Sequence, residues 1–270
     1  MNLELLSRYP AVAREPTPIL FVHGMLFGAW CWDHRFLAFF ARHGYASHAV
    51  NLRGHGNSEG REKLRWTRIA DFVEDVAETV RRLPSPPFLV GHSMGGFILQ
   101  KYLEEHAAPG AVLLSSPPPT GLLGTTLRIA RRRPLRFARV NLTLSLLPVV
   151  ATPELAREAF FAEDLPDEQL LVYWKQIQDE SYRAFLDMVA LDLPKPGKVK
   201  TPLLVLGVGR DNMVSPGEVE RTARAYGTRA EFVPGAAHVS MLDPRWQPVA
   251  ERILTWLAER RLEKAGTDSP

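Results

Sequence analysis

The chain holds 270 residues, 46% apolar and 23% charged, and its net charge is +3. This length can bury one large core as an undivided α/β domain, and so small a charge gives no general footing for nucleic acid. The single cysteine, Cys31, rules out an internal disulfide and reads as a packed thiol.

The opening MNLELLSRYP has no basic region followed by an apolar core. No run reaches the ~20 apolar residues that span a bilayer, so a cytoplasmic protein is expected. Ile19–Val22 reads as a strand ending at His23-Gly24, and Ala46–Leu52 as another ending at Arg53-Gly54. Ile69, Phe72, Val73, Val76, Ala77 and Val80 recur at helical spacing, which predicts an amphipathic helix over 67–82. Phe88–Val90 is a short apolar run behind Pro86-Pro87, and GHSMGG follows it directly. Phe97, Ile98, Leu99, Tyr102 and Leu103 then mark a helix that Pro109-Gly110 stops. Ala111–Leu114 is the next strand.

Residues 118–200 break this alternation and hold helical patterns only. Thr152-Pro153-Glu154 opens one helix, and a second carries Leu170, Leu171, Trp174, Ile177, Phe185, Met188 and Val189. Pro194–Gly197 is the expected return hinge. Leu203–Leu206 and Ala230–Val233 are the last strands. Asp243-Pro244 is read as the cap of a final helix with Trp246, Val249, Ala250, Ile253, Trp256 and Leu257 on its buried stripe. The alternation predicts a mostly parallel, doubly wound α/β sheet, with a core from 1–117 and 201–270 and a helical cap from 118–200. Ligands of such sheets bind beyond the C-terminal strand ends. His23, Ser93, Asp211 and His238 all fall just past such ends.

Ser93 sits on a tight strand-to-helix turn, with Gly91 and Gly95 two residues to either side. This is the G-x-S-x-G pattern, which lifts a serine hydroxyl out of a sheet above a helix N-terminus. A bare match is often only a turn; the apolar run before it and the helix after it favour a nucleophile. Serine needs a base, usually histidine. Of the eight histidines, His238 lies between the last strand and the last helix and is assigned that role. His92 adjoins Ser93, but neighbours on a sharp turn point apart, so it reads as packing. His23 and His55, beside glycines, read as backbone hydrogen-bonders; His34, His43, His48 and His106 carry no supporting context. Asp211 follows a strand and lies between Ser93 and His238 in chain order, so it is the expected orienting acid. The competing strand end, Ser115-Ser116-Pro117, offers no carboxylate; Asp187 and Asp192 lie in the cap. The backbone N–H groups of Met94 and Met25 are the expected oxyanion donors.

FVHGM, NLRGHGNSEG, VGHSMGG, GRDNMVSP and PGAAHVSMLDP, in this order, resemble the α/β-hydrolase superfamily. NLRGHGNSEG with GHSMGG is similar to its monoacylglycerol lipase, lysophospholipase and esterase branch. The resemblance implies an acyl-enzyme on Ser93 and an ester substrate with an apolar acyl group. Related patterns occur in carbon–carbon bond hydrolases and cofactor-free haloperoxidases, and a ligand-binding receptor on the same scaffold is the reading from another class. No C-x-x-C or H-E-x-x-H is present, so neither metal nor cofactor is expected. With only 18 residues before Ile19, the usual opening hairpin is expected to be short or incomplete. Leu146, Leu147, Phe160, Phe161 and Trp174 are the candidates for the acyl pocket. The cap segment RIARRRPLRFAR carries Arg128, Arg131, Arg132, Arg133, Arg136 and Arg139. A solvated helical face is the plain reading. The sharper one is contact with an anionic lipid surface or head group; nucleic acid is not expected as a partner.

Overall fold

A computed structural model of the chain describes residues 1–267. Seven strands form one sheet: β1 (Leu5–Arg8), β2 (Glu15–Val22), β3 (Tyr45–Val50), β4 (Phe88–His92), β5 (Ala111–Leu114), β6 (Leu203–Arg210) and β7 (Ala230–Ala237). Their spatial order is β1-β3-β2-β4-β5-β6-β7. All neighbours are parallel except β1, which runs antiparallel to β3 with Leu5 opposite Val50. An opening strand is therefore present. It is four residues long and pairs with β3 rather than turning into a hairpin with β2.

Helices cover both faces. The core alternates along each strand, as the two-residue period of a pleated strand requires. Ile19 and Phe21 of β2 join Trp32, Phe36 and Phe40 from α1 (Trp30–Asp33) and α2 (Phe36–Arg42) and Ile253 from α11 (Trp246–Thr267). Leu20 and Val22 face the other way, toward Phe72 and Val76 of α3 (Ile69–Arg82) and Phe97 of α4 (Met94–Tyr102). α10 (Pro216–Ala225) completes that second layer through Val219 and Ala223. The central strands are continuous apolar runs because both of their faces are buried.

Between β5 and β6 the chain forms α5 (Leu123–Arg132), α6 (Pro134–Thr143), α7 (Pro153–Phe160), α8 (Asp167–Trp174) and α9 (Tyr182–Leu186). The residues from Leu170 to Val189 do not make one helix. α8 ends at Trp174 and α9 starts at Tyr182, because the intervening residues bond to core loops instead of to the next helical turn. α9 runs on into a π-helical turn, Asp187–Leu191. Asp187 is buried and accepts the N–H of Ile69 at 3.1 Å, which caps α3 from the inserted segment. The final helix, α11, starts at Trp246, so Pro244 is not its first residue as the sequence suggests. The Asp243 carboxylate instead accepts the N–H groups of Ala237 and Arg245 at 2.8 and 2.7 Å. Among the described residues no helix is long and apolar enough to cross a membrane.

Candidate active site

β4 ends at His92 and α4 begins at Met94, so Ser93 alone makes the turn. It adopts φ 51° and ψ −119°, a conformation that costs a non-glycine residue about 1–3 kcal/mol. The turn survives because its surroundings over-determine it. Ser93 N–H donates to Leu114 C=O at 2.9 Å, across to β5. A side chain on Gly91 would lie 2.6 Å from the Gly95 carbonyl carbon, and one on Gly95 would strike the Val22 carbonyl. Both glycines thus permit the close crossing of strand and helix that sequence spacing suggested.

Asp211 follows β6 and His238 follows β7, and the parallel pairing of these two strands sets the residues side by side. His238 Nδ1 lies 2.9 Å from both Asp211 carboxylate oxygens. The side chains are only 3% and 2% exposed. Asp211 Oδ1 also accepts the N–H groups of Met213 and Val214, both at 2.8 Å. Burial alone would raise the Asp211 carboxyl, but His238 and these N–H donors outweigh it and hold it below the usual carboxylate range. With Nδ1 committed to Asp211, Nε2 is the His238 nitrogen available to take a proton.

His92 is more than packing. Its Nε2 donates to the His238 carbonyl at 2.9 Å, and the two rings lie 4.7 Å apart. Burial first, then the neighbouring His238, pushes the His92 imidazole down to about 3, so it stays neutral and keeps the tautomer this bond needs. Phe160, at the end of α7, stacks on His238 at 5.8 Å, and its carbonyl accepts Val239 N–H at 3.1 Å. The loop bearing His238 is thus held by His92 beneath, by Asp243 at its start and by Phe160 from the inserted segment.

Met94 N–H opens α4, and Met25 follows His23-Gly24 at the end of β2. Among the described residues neither N–H has a hydrogen-bond acceptor within the chain. Gly24 lies against Ser93: a side chain there would fall 3.1 Å from Ser93 Cβ. His23 and His55 do bond backbone, as their position beside glycines suggested. His55 has a further partner, Glu180, 3.0 Å from its Nε2.

Ser93, His238, Met25 and Met94 line a cavity of about 600 Å³. Its walls come largely from the inserted segment and include Phe137, Val140, Leu146, Val149 and Phe160. Of the five pocket candidates, Leu146 and Phe160 lie here. Leu147 and Trp174 instead line a separate hollow, where Trp174 Nε1 donates to Val150 C=O at 2.8 Å. Phe161 is buried between Phe27 and Tyr173. The break after α7 turns Phe161 away from its neighbour Phe160, because its backbone is already extended (φ −110°, ψ 160°). The arginines divide as well. Arg132, Arg133 and Arg136 line the cavity. Arg133 and Arg136 share Glu158 at 2.5 and 3.8 Å, and Arg128 lies 3.6 Å from Glu218. Among the described residues Arg131, Arg132 and Arg139 have no ion-pair partner.

Residues 19–252 match the alpha/beta hydrolase family. The chain is 35% identical over 111 residues to the non-heme chloroperoxidase of Streptomyces lividans, an alignment spanning 39% of each chain. It is 25% identical over 210 residues to phospholipase YtpA of Bacillus subtilis, covering 74% of this chain and 78% of that one. The crystal structure of a monoacylglycerol lipase from Paleococcus ferrophilus superposes with a TM-score of 0.70 at 20% identity, over 96% of this chain and all of the other. That last likeness is one of fold.

Proposed function

Because this chain belongs to the alpha/beta hydrolase family, we propose that Ser93, His238 and Asp211 act as one unit that hydrolyses carboxylic esters of apolar acids. Ser93 Oγ attacks the acyl carbon as His238 Nε2 takes its proton. The carbonyl oxygen becomes an oxyanion and accepts the N–H groups of Met25 and Met94. Collapse expels the alcohol, which leaves with the proton held by His238. Water, deprotonated by the same nitrogen, then attacks the acyl-enzyme and releases the acid. The observation that carries this reading is the buried Asp211–His238 pair opening, with the strained Ser93, on an apolar-walled cavity. A fluorophosphonate should label Ser93 alone, and hydrolysis of a nitrophenyl ester should survive chelators. Labelling that persists in Ser93→Ala, or turnover that needs a metal, would overturn the assignment.

One observation favours a second reading. The chain is 35% identical over 111 residues to a non-heme chloroperoxidase, and in this reading the same triad acts with hydrogen peroxide in place of water, so that the acyl-enzyme yields a peracid. Peracid formed faster than acid at equal nucleophile concentration would select that reading.

The cap face adds a proposal about where the substrate comes from. α6 exposes Leu135 and Leu142, each 85% exposed, beside α5, whose Arg131 and Arg132 lack an acidic partner among the described residues. Such a face suits an anionic lipid surface, with attraction of roughly 1 kcal/mol per arginine near it, screened by salt. Changing Arg131, Arg132 and Arg133 to glutamine should abolish the preference for anionic over neutral vesicles at low salt. Equal binding of the native protein to both vesicle types would leave only a solvated face.

A further inference from the structure

Leu26, one residue beyond the Met25 donor, has φ +71°, a left-handed conformation that bulky residues rarely adopt. Both of its backbone groups are bound by the stretch between α8 and α9. Its carbonyl accepts Gln178 N–H at 3.1 Å, and its N–H donates to Glu180 Oε2 at 3.2 Å. The same Glu180 oxygen lies 3.0 Å from His55 Nε2, and both side chains are wholly buried. Glu180 Oε1 accepts Ser181 N–H at 2.7 Å. Gln178 fastens the stretch to the next loop, donating to Gly54 C=O at 3.0 Å and accepting Gly56 N–H at 3.1 Å.

On the other side of Met25, His23 Nδ1 donates to Gly24 C=O at 2.9 Å and its Nε2 accepts Leu52 N–H at 3.2 Å. Met25 N–H therefore belongs to the Gly24–Met25 peptide, whose carbonyl His23 holds, and the next peptide, Met25–Leu26, is held at its N–H by a carboxylate from the inserted segment. We propose that Glu180 is a positioning residue for the oxyanion hole: its buried pair with His55 holds Leu26 in the left-handed region and so sets the direction of the Met25 N–H. This rests on the reading of Met25 as an oxyanion donor. The charge matters, because an uncharged amide could still accept Leu26 N–H but would leave His55 without its counter-ion. Burial would lower the His55 imidazole, yet the Glu180 carboxylate outweighs that and holds it above the ordinary histidine value.

A donor moved out of line weakens the transition state and leaves ground-state binding alone. Deleting an oxyanion donor outright costs on the order of 10²–10³ in kcat, so Glu180→Ala should cost about 10- to 100-fold and Glu180→Gln about tenfold. KM should stay within about twofold. A trifluoromethyl ketone, which forms an oxyanion on attack by Ser93, should lose affinity by the same factor as kcat. Glycine adopts φ +71° without strain, so Leu26→Gly should restore part of kcat in the Glu180→Gln background. Thermal melts identify the variants that fold; should Glu180→Ala not fold, Glu180→Gln carries the test. Wild-type kcat and ketone affinity in folded Glu180→Gln, or a loss seated in KM alone, would overturn the proposal. If Ser93→Ala is dead while Glu180→Gln runs at wild-type rates, only the role of Glu180 falls. If Ser93→Ala keeps its activity, the ester-hydrolase reading falls with it.

Discussion

Ser93→Ala and His238→Ala should each lower kcat by on the order of 10⁶, with the fold intact. On the proposed mechanism neither residue acts without the other: the hydroxyl is inert until the imidazole takes its proton, and the imidazole has no nucleophile to serve once the hydroxyl is gone. The double variant should therefore be hardly slower than either single one. Additive losses would mean that the two side chains contribute separately. Ser93→Ala removes one partly exposed oxygen and keeps the glycine-flanked crossing, so its melting temperature should stay within a few degrees of wild type. A single-turnover assay with a nitrophenyl ester separates loss of acylation from loss of deacylation. An acyl burst that survives in His238→Ala would show that another base serves Ser93.

Asp211→Asn should cost about 10⁴ in kcat, less than the loss of the nucleophile but far beyond a packing effect. The Asp211 carboxylate accepts from His238 Nδ1 through both oxygens, which keeps Nε2 unprotonated toward the cavity. An asparagine amide placed there would donate to Nδ1 and leave the proton on Nε2, the wrong tautomer for a base. Wild-type rates in Asp211→Asn would hand the role to another carboxylate. The same variant has a signature in stability. The folded Asp211 carboxyl lies below its ordinary value, so the unfolded chain binds more protons in acid and stability rises with pH. Its contribution is complete above the unfolded value of about 3.9 and is lost as pH falls through the lower folded value. Urea melts across that window should show a shallower acid limb in Asp211→Asn. The limb should not vanish. His92 stays neutral in the fold down to about 3, so the unfolded chain takes up a proton there from about pH 6.5 downward in both proteins.

The parts of this protein legible from the chain were those set by neighbours in sequence. Apolar runs bounded by breakers marked β2, β4, β5 and β6, and the glycines around Ser93 marked a crossing that only small residues allow. The order of strand ends put Ser93, Asp211 and His238 on one edge, because parallel strands share their C-terminal side. Contacts between distant segments carried no such mark. Glu180 meets His55 across 125 residues and Leu26 across 154, and nothing in DESYR distinguishes a buried anchor from a solvated helix face. His92 looked like packing because its acceptor is a backbone carbonyl 146 residues away. Phe160 and Phe161 are adjacent and chemically identical, yet only Phe160 reaches the cavity, since the break after α7 turns one away from the other. Periodicity and turn chemistry act within a few residues, whereas burial of a charge or a choice of pocket wall depends on which remote segment folds against it.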